Sequence, residues 1–190
     1  MKLTRLIVKG GVISPGELRD IVNLALDQNL KNLSFGSRQD IIFPEAFIEN
    51  SDVKNSTHKF IFPDSSAVNN IVSSYVSTDI FTNTSWLTGN KFLYVLEQFQ
   101  EQPKLKVNIT DPRQQLVPLF TGHINFIASE HDDYWFMYIR LPGWERMEVY
   151  PALIYSWDIA TIYYYIEKLV ANAVSYTHLR AHETASYIVC

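Results

Sequence analysis

The chain has a single cysteine, Cys190, at its last position. It therefore cannot build a disulfide framework, a thiolate-held metal centre or an iron–sulfur site from its own residues. It also has no apolar run near the roughly 18 residues that a membrane helix needs. The opening "MKLTRLIVKGG" carries basic residues but lacks the apolar block of a secretory leader. A cytoplasmic protein that does not enter a membrane is the expectation. Charge is sparse as well: 19% of residues are charged, the net charge is −4 and the lysines and arginines are scattered. That pattern leaves no electrostatic footprint for nucleic acid.

What the chain does have is apolar residues, 47% of the total, in a length of 190, enough for one good-sized core or two small ones. Residues 3–9, "LTRLIVK", alternate as a strand does, and Gly10-Gly11 reads as a turn. Ser14, Pro15 and Glu17 form the N-cap, first-turn proline and capping box of a helix. Its stripe of Leu18, Ile21, Val22, Ala25 and Leu26 carries it to about Asn29. "NLSF" and "IIF" are short strands around the turn "GSRQ", residues 45–57 read as a loop, "HKFIF" as a strand and "SSAVNNIVSSYV" as a helix opened by Ser65. The first 80 residues thus read as β-α-β-β-α-β.

In the second half, "TDIFTNTSW" reads as a strand leading into a turn, and "GNKFLYVLEQFQEQ" as an amphipathic helix. "KLKVNIT", "GHINFIAS" and "DYWFMYIRL" are strand candidates, and "DIATIYYYIEKLVAN" is a final helix. The fold class is α+β, with two α+β units in tandem, 1–77 and 78–173, in preference to one doubly wound sheet. The polar "EHDD" run with His131 reads as a solvated hairpin turn, and His123 as a strand-start residue making a structural hydrogen bond.

"VKGGVISPGELRDIVNLAL" followed by "LSFGSRQDI" resembles the ferredoxin-like half-domain of siroheme nitrite and sulfite reductases. In that family a strand ending R-x-P-G-G leads to a helix, a strand and T-T-R-Q-N. "TNTSWLTGNKFLYVLEQF" and "KLKVNITDPRQQL…GHINFIAS" resemble the family's second-half turn, helix and K-F-K-I…D-I-G-F strand pair. The resemblance covers roughly residues 3–172. It implies a ferredoxin-like half-domain followed by a second, reductase-like α+β domain. It further implies one repeat of an enzyme usually built from two, with siroheme between the repeats and the cluster cysteines further along.

Through this resemblance Arg38 is expected to help anchor the anionic siroheme, with Gln39 supporting it by hydrogen bonding. A guanidinium suits that role because it offers a planar fork of donors to a carboxylate and stays charged when partly buried. The family's substrate-facing arginine is replaced by Ile7, and its T-R-Q-N asparagine by Asp40. Strand alternation places Arg5, Ile7 and Lys9 on one face, so Arg5 and Lys9 are expected to supply positive charge to an anion beside Gly10 and Gly11.

Two classes of function follow. The first is a redox protein: a siroheme reductase, or an electron-transfer relative with a rubredoxin-like or iron–sulfur module in a missing C-terminal part. Its partners would be the missing second repeat of the chain and a redox protein. The second is a non-catalytic scaffold or interaction domain that keeps the half-domain fold.

Residues 174–190 stand apart. His178 and His182 are spaced i, i+4 beside Glu183, a spacing that can hold a metal on a helix. The segment shows no amphipathic period, however, and follows a helix expected to end near "VANA". "SYTHLRAHET" resembles translated sequencing-adapter read-through, so these residues are expected to be a non-native tail and the natural chain to continue beyond Ala173.

Overall fold

The computed structural model describes residues 3–44, 60–61 and 70–186, the segments 60–61 and 174–186 by backbone alone. The expected loop at 45–57, the opening of the helix at Ser65 and the side chains of His178, His182 and Glu183 lie outside the described residues.

The first unit forms because one helix has an apolar stripe to bury and a small antiparallel sheet offers a matching face. β1 (Thr4–Leu6) is flanked by β3 (Ile41–Phe43) and β4 (Phe60–Ile61), and β2 (Ser34–Phe35) pairs with β3. α1 (Pro15–Asp27) starts at the Ser14 cap, where the Glu17 N–H donates to Ser14 Oγ at 3.1 Å and the Ser14 N–H to Glu17 Oε2 at 2.9 Å. It stops where Asn29 turns left-handed with φ 59° and the Leu30 N–H closes on the Ala25 carbonyl. Ile21 and Ala25 then pack with Leu6, Val8, Leu30, Ile41 and Phe43 in one core.

The second unit is a six-stranded mixed sheet in the order β10-β8-β7-β6-β5, with β9 also paired to β8. β5 (Ile71–Ser73), β6 (Val107–Thr110) and β7 (Ile124–Ala128) run parallel, and β8 (Tyr134–Ile139), β9 (Glu148–Val149) and β10 (Ile154–Tyr155) add antiparallel pairs. α2 (Gly89–Glu97) and α3 (Ile159–Ser186) share one face. Phe92, Val95 and Leu96 of α2 and Ile159 and Tyr163 of α3 pack there against Val107, Ile109, Ile124, Phe126, Trp135 and Met137. Trp135 is fully buried, edge-on to Trp86 at 5.3 Å, with its indole N–H donated to Ser156 Oγ at 2.8 Å.

The two sheets and their helices make the chain α+β. Four local readings are corrected. The helix expected over "SSAVNNIVSSYV" is, in its described part, strand β5 and a 3-10 turn at Tyr75–Ser77, because Ile71–Ser73 complete a parallel ladder with Val107–Ile109. No strand forms in "TDIFTNTSW": the fully buried Asp111 carboxylate takes the Thr84 N–H at 2.7 Å and the Thr84 hydroxyl at 3.2 Å, fixing this stretch as a turn. β1 ends at Leu6 rather than Lys9, because Lys9–Gly11 wind into a 3-10 turn. Finally, α3 does not end near "VANA"; its helical backbone reaches Ser186 through a stretch free of glycine and proline.

Candidate functional site

Of the residues singled out in the sequence, Lys9, Gly10, Gly11, Arg38 and Gln39 lie at the seam between the two sheets, and Arg5 does not. Gly10 and Gly11 have φ of 62° and 74°, a region open to glycine. A Cβ on Gly10 would lie 2.5 Å from Leu96 Cδ2, and one on Gly11 would lie 2.8 Å from Gln39 Cδ. Gly10 therefore lets the first unit press directly onto Leu96 of the second, while Gly11 makes room for Gln39 within the first. The Ser73 hydroxyl of β5 fastens the contact by donating to the Gly10 carbonyl at 2.5 Å.

Opposite the glycines, the turn between β2 and β3 closes with the Gln39 N–H on the Gly36 carbonyl and the Gly36 N–H on the Asp40 carbonyl. Gln39 holds φ 60°, a conformation that ordinary side chains rarely adopt. Its amide pairs in both directions with Ser73: Nε2–H donates to the Ser73 carbonyl at 2.7 Å and Oε1 accepts the Ser73 N–H at 3.0 Å. Arg38, at the tip, reaches across to the second sheet. It donates from Nη1 to Asn108 Oδ1 at 3.0 Å and from Nη2 to the Asn70 carbonyl at 2.9 Å.

Arg5 and Lys9 do not share a face beside the glycines. Arg5 Nε lies 3.6 Å from the buried Asp40 carboxylate, within the first unit. Lys9 opens the 3-10 turn and donates its amine to the Phe99 carbonyl at 2.9 Å. It borders a cleft of about 380 Å³ between Val12, Ile13 and Glu17 and the Phe99–Pro103 segment. Asp40 is thus turned toward Arg5. Arg38 feels Asp40 only as a charge that partly offsets burial, and burial lowers the guanidinium's pKa from its ordinary value.

Sequence reasoning missed a second group of residues here. Register aligns Val107 of β6 with Ile124 of β7, and Ile124 with Ile139 of β8. One position outward, Lys106, His123 and Arg140 therefore form a row across three chain segments. Backbone bonds of 2.7 Å, from His123 N–H to the Lys106 carbonyl and from Arg140 N–H to the His123 carbonyl, continue the pairing. Val107, Ile124 and Ile139 point into the helix-covered core. Pleat alternation places the outer row on the opposite face, where Arg38 meets Asn108.

Burial first, then Lys106, Arg38 and Arg140, lower the pKa of His123, so all three cations act on one imidazole. Neither Lys106 nor Arg140 has a carboxylate partner among the described residues. The structural hydrogen bond expected of His123 is present: Nδ1 accepts the Lys106 N–H at 3.0 Å.

The chemistry of this donor set is uniform. Three cations and a neutral imidazole converge, and the adjoining Asn108 is itself held by Pro118 and Thr121. Such a set fits a carboxylate-bearing group or an inorganic oxyanion and opposes a bare metal cation. Among the described residues no cluster of three or more histidine, cysteine, aspartate or glutamate side chains has the arrangement to hold a metal ion. No described helix is long and apolar enough to cross a membrane. No protein-family model matches the chain, and no curated protein matches it.

Proposed function

We propose that the chain is the N-terminal part of a redox protein related to siroheme nitrite and sulfite reductases, comprising a ferredoxin-like half-domain and the start of the reductase-like domain. It works as a reductase, or as an electron-transfer protein whose rubredoxin-like or iron–sulfur module lies outside these residues. The observation that carries this reading is convergence. The Gly10-Gly11 turn, the Arg38-Gln39 turn and the starts of "KVNIT" and "INFIA" are separate in sequence, yet they gather at one seam with Arg38, Lys106 and Arg140 around His123. Arg38, Lys106 and Arg140 are the residues that would hold the carboxylates of siroheme. When bound, that group supplies an iron able to hold a small oxyanion and pass electrons to it. A second repeat and a redox partner would complete the assembly.

A second reading, a non-catalytic scaffold, draws on a specific observation: Arg38 and Gln39 already spend hydrogen bonds on joining the two sheets. The visible spectrum of the full-length gene product separates the readings. Siroheme bands support the reductase, iron–thiolate absorption supports the electron carrier, and a colourless protein after expression with siroheme and iron supplied overturns both in favour of the scaffold.

A further inference from the structure

His123 closes the start of β7. Its Nδ1 accepts a backbone N–H, so the ring proton is on Nε2 and the imidazole is neutral in this arrangement. The charged groups acting on it come from three directions: Lys106 before β6, Arg38 from the β2–β3 turn and Arg140 after β8. All are cations, and no carboxylate among the described residues acts on the ring. Protonation would also set a new donor at Nδ1 against the Lys106 N–H.

A bound anion reverses this balance. A negatively charged oxygen against Arg38, Lys106 and Arg140 neutralises the field that opposes protonation, and it offers the imidazolium an acceptor. We propose that His123 takes up a proton as an oxyanion docks on this row, coupling anion binding to proton uptake. The proposal rests on the anion-site reading given above and adds the group that carries the proton. The proton comes from solvent and forms an N–H bond at Nδ1, which gives up its hydrogen bond from the Lys106 N–H; no other covalent bond forms or breaks. Linkage makes the effect reciprocal: affinity is lowest at high pH and rises as pH falls through the pKa of His123 in the complex. It levels off below the pKa of the free protein. One proton sets the limit at about tenfold per pH unit.

The test is an NMR titration of ring-labelled histidines in the 190-residue chain between pH 8 and 5, at constant ionic strength, with sodium sulfate as the inorganic probe and coproporphyrin as the polycarboxylate probe. The expected result is a rise in the His123 pKa on binding and an affinity that strengthens as pH falls. His123→Asn keeps an acceptor oxygen for the Lys106 N–H but cannot titrate, so it should bind with its pH dependence lost. A response to sulfate assigns the row to an inorganic oxyanion, and a response to coproporphyrin alone assigns it to a carboxylate cofactor. In either case the proposal stands only if the His123 pKa rises. Binding with no rise, or the same pH dependence in His123→Asn, overturns the proton coupling and leaves the anion site intact. If neither probe moves the resonances of Lys106, His123 or Arg140, the anion site itself is overturned.

Discussion

Gln39 and Ser73 exchange hydrogen bonds as two paired strand residues do, although one partner is a side-chain amide and the other a main chain. Gln39→Ala leaves the Ser73 N–H and carbonyl without these partners beneath the seam. An unsatisfied buried group costs about 1–3 kcal/mol. In a chain of this size each kcal/mol lowers Tm by about 2–4 °C. A thermal scan showing an unchanged midpoint would mean that water replaces the amide at no cost.

Gly10 gives a sharper test, because two penalties act there together. Gly10→Ala should lose about 1–3 kcal/mol to overpacking against Leu96. A further ~1–2 kcal/mol comes from the left-handed backbone. Urea denaturation of Gly10→Ala, Leu96→Ala and the double variant separates the two: the double variant should be more stable than the summed losses allow. Strict additivity would place the Leu96 contact elsewhere.

The depressed pKa of His123 has a consequence for acid stability. The unfolded chain, with its histidine near 6.5, binds a proton more readily than the folded one. Stability from this site is therefore fully present above about pH 6.5 and is lost as pH falls through that value and on toward the folded pKa. Urea midpoints measured from pH 8 to 5 should fall less steeply in His123→Asn than in the wild type. Parallel curves would remove His123 from the acid limb.

Tyr163 contributes to the opposite limb. Its hydroxyl is buried, donates toward the Leu105 carbonyl at 2.8 Å or Glu167 at 2.6 Å, and accepts the Leu105 N–H at 2.9 Å. Burial first, then the hydrogen bond and negative charge of Glu167, push its pKa far above the usual tyrosine value. The folded state keeps the proton that the unfolded state gives up near pH 10. This contribution is present below about pH 10 and lost as pH rises beyond it. In an alkaline absorbance titration, fewer tyrosinates should appear before unfolding in the wild type than in the unfolded chain. Tyr163→Phe should narrow that difference by one tyrosinate, Tyr164 and Tyr94 also being raised by burial, while losing about 1–3 kcal/mol from the Leu105 groups that bond the hydroxyl.

The elements legible in the sequence were those whose signals are local. The capping box at Ser14 and Glu17 starts α1 where residue types alone require. Apolar residues at strand spacing in "KVNIT" and "INFIA" mark β6 and β7, and the aromatic-rich apolar run "YWFMYI" marks β8. Residues 65–76 misled because Val68, Ile71, Val72, Tyr75 and Val76 keep a helical period. Pairing with β6, a contact across more than thirty residues, overrides that period for Ile71–Ser73. The candidate site divides in the same way. The glycine pair and the Arg38-Gln39 turn were visible as motifs. The row of Lys106, His123 and Arg140 depends on the parallel register of β6 with β7 and the antiparallel register of β7 with β8, which no short window contains. Lys9 was misplaced for a related reason: period-two counting was carried past the end of its strand.

Among the described residues β5 is the terminal strand of the six-stranded sheet, so the Ser73 groups that do not face β6 lie along its outer border. Such a border invites pairing with a strand from another molecule. By occupying the outward N–H and carbonyl of Ser73, Gln39 makes the seam a safeguard against self-association as well as a joint. A change at this position therefore threatens solubility even where the fold survives.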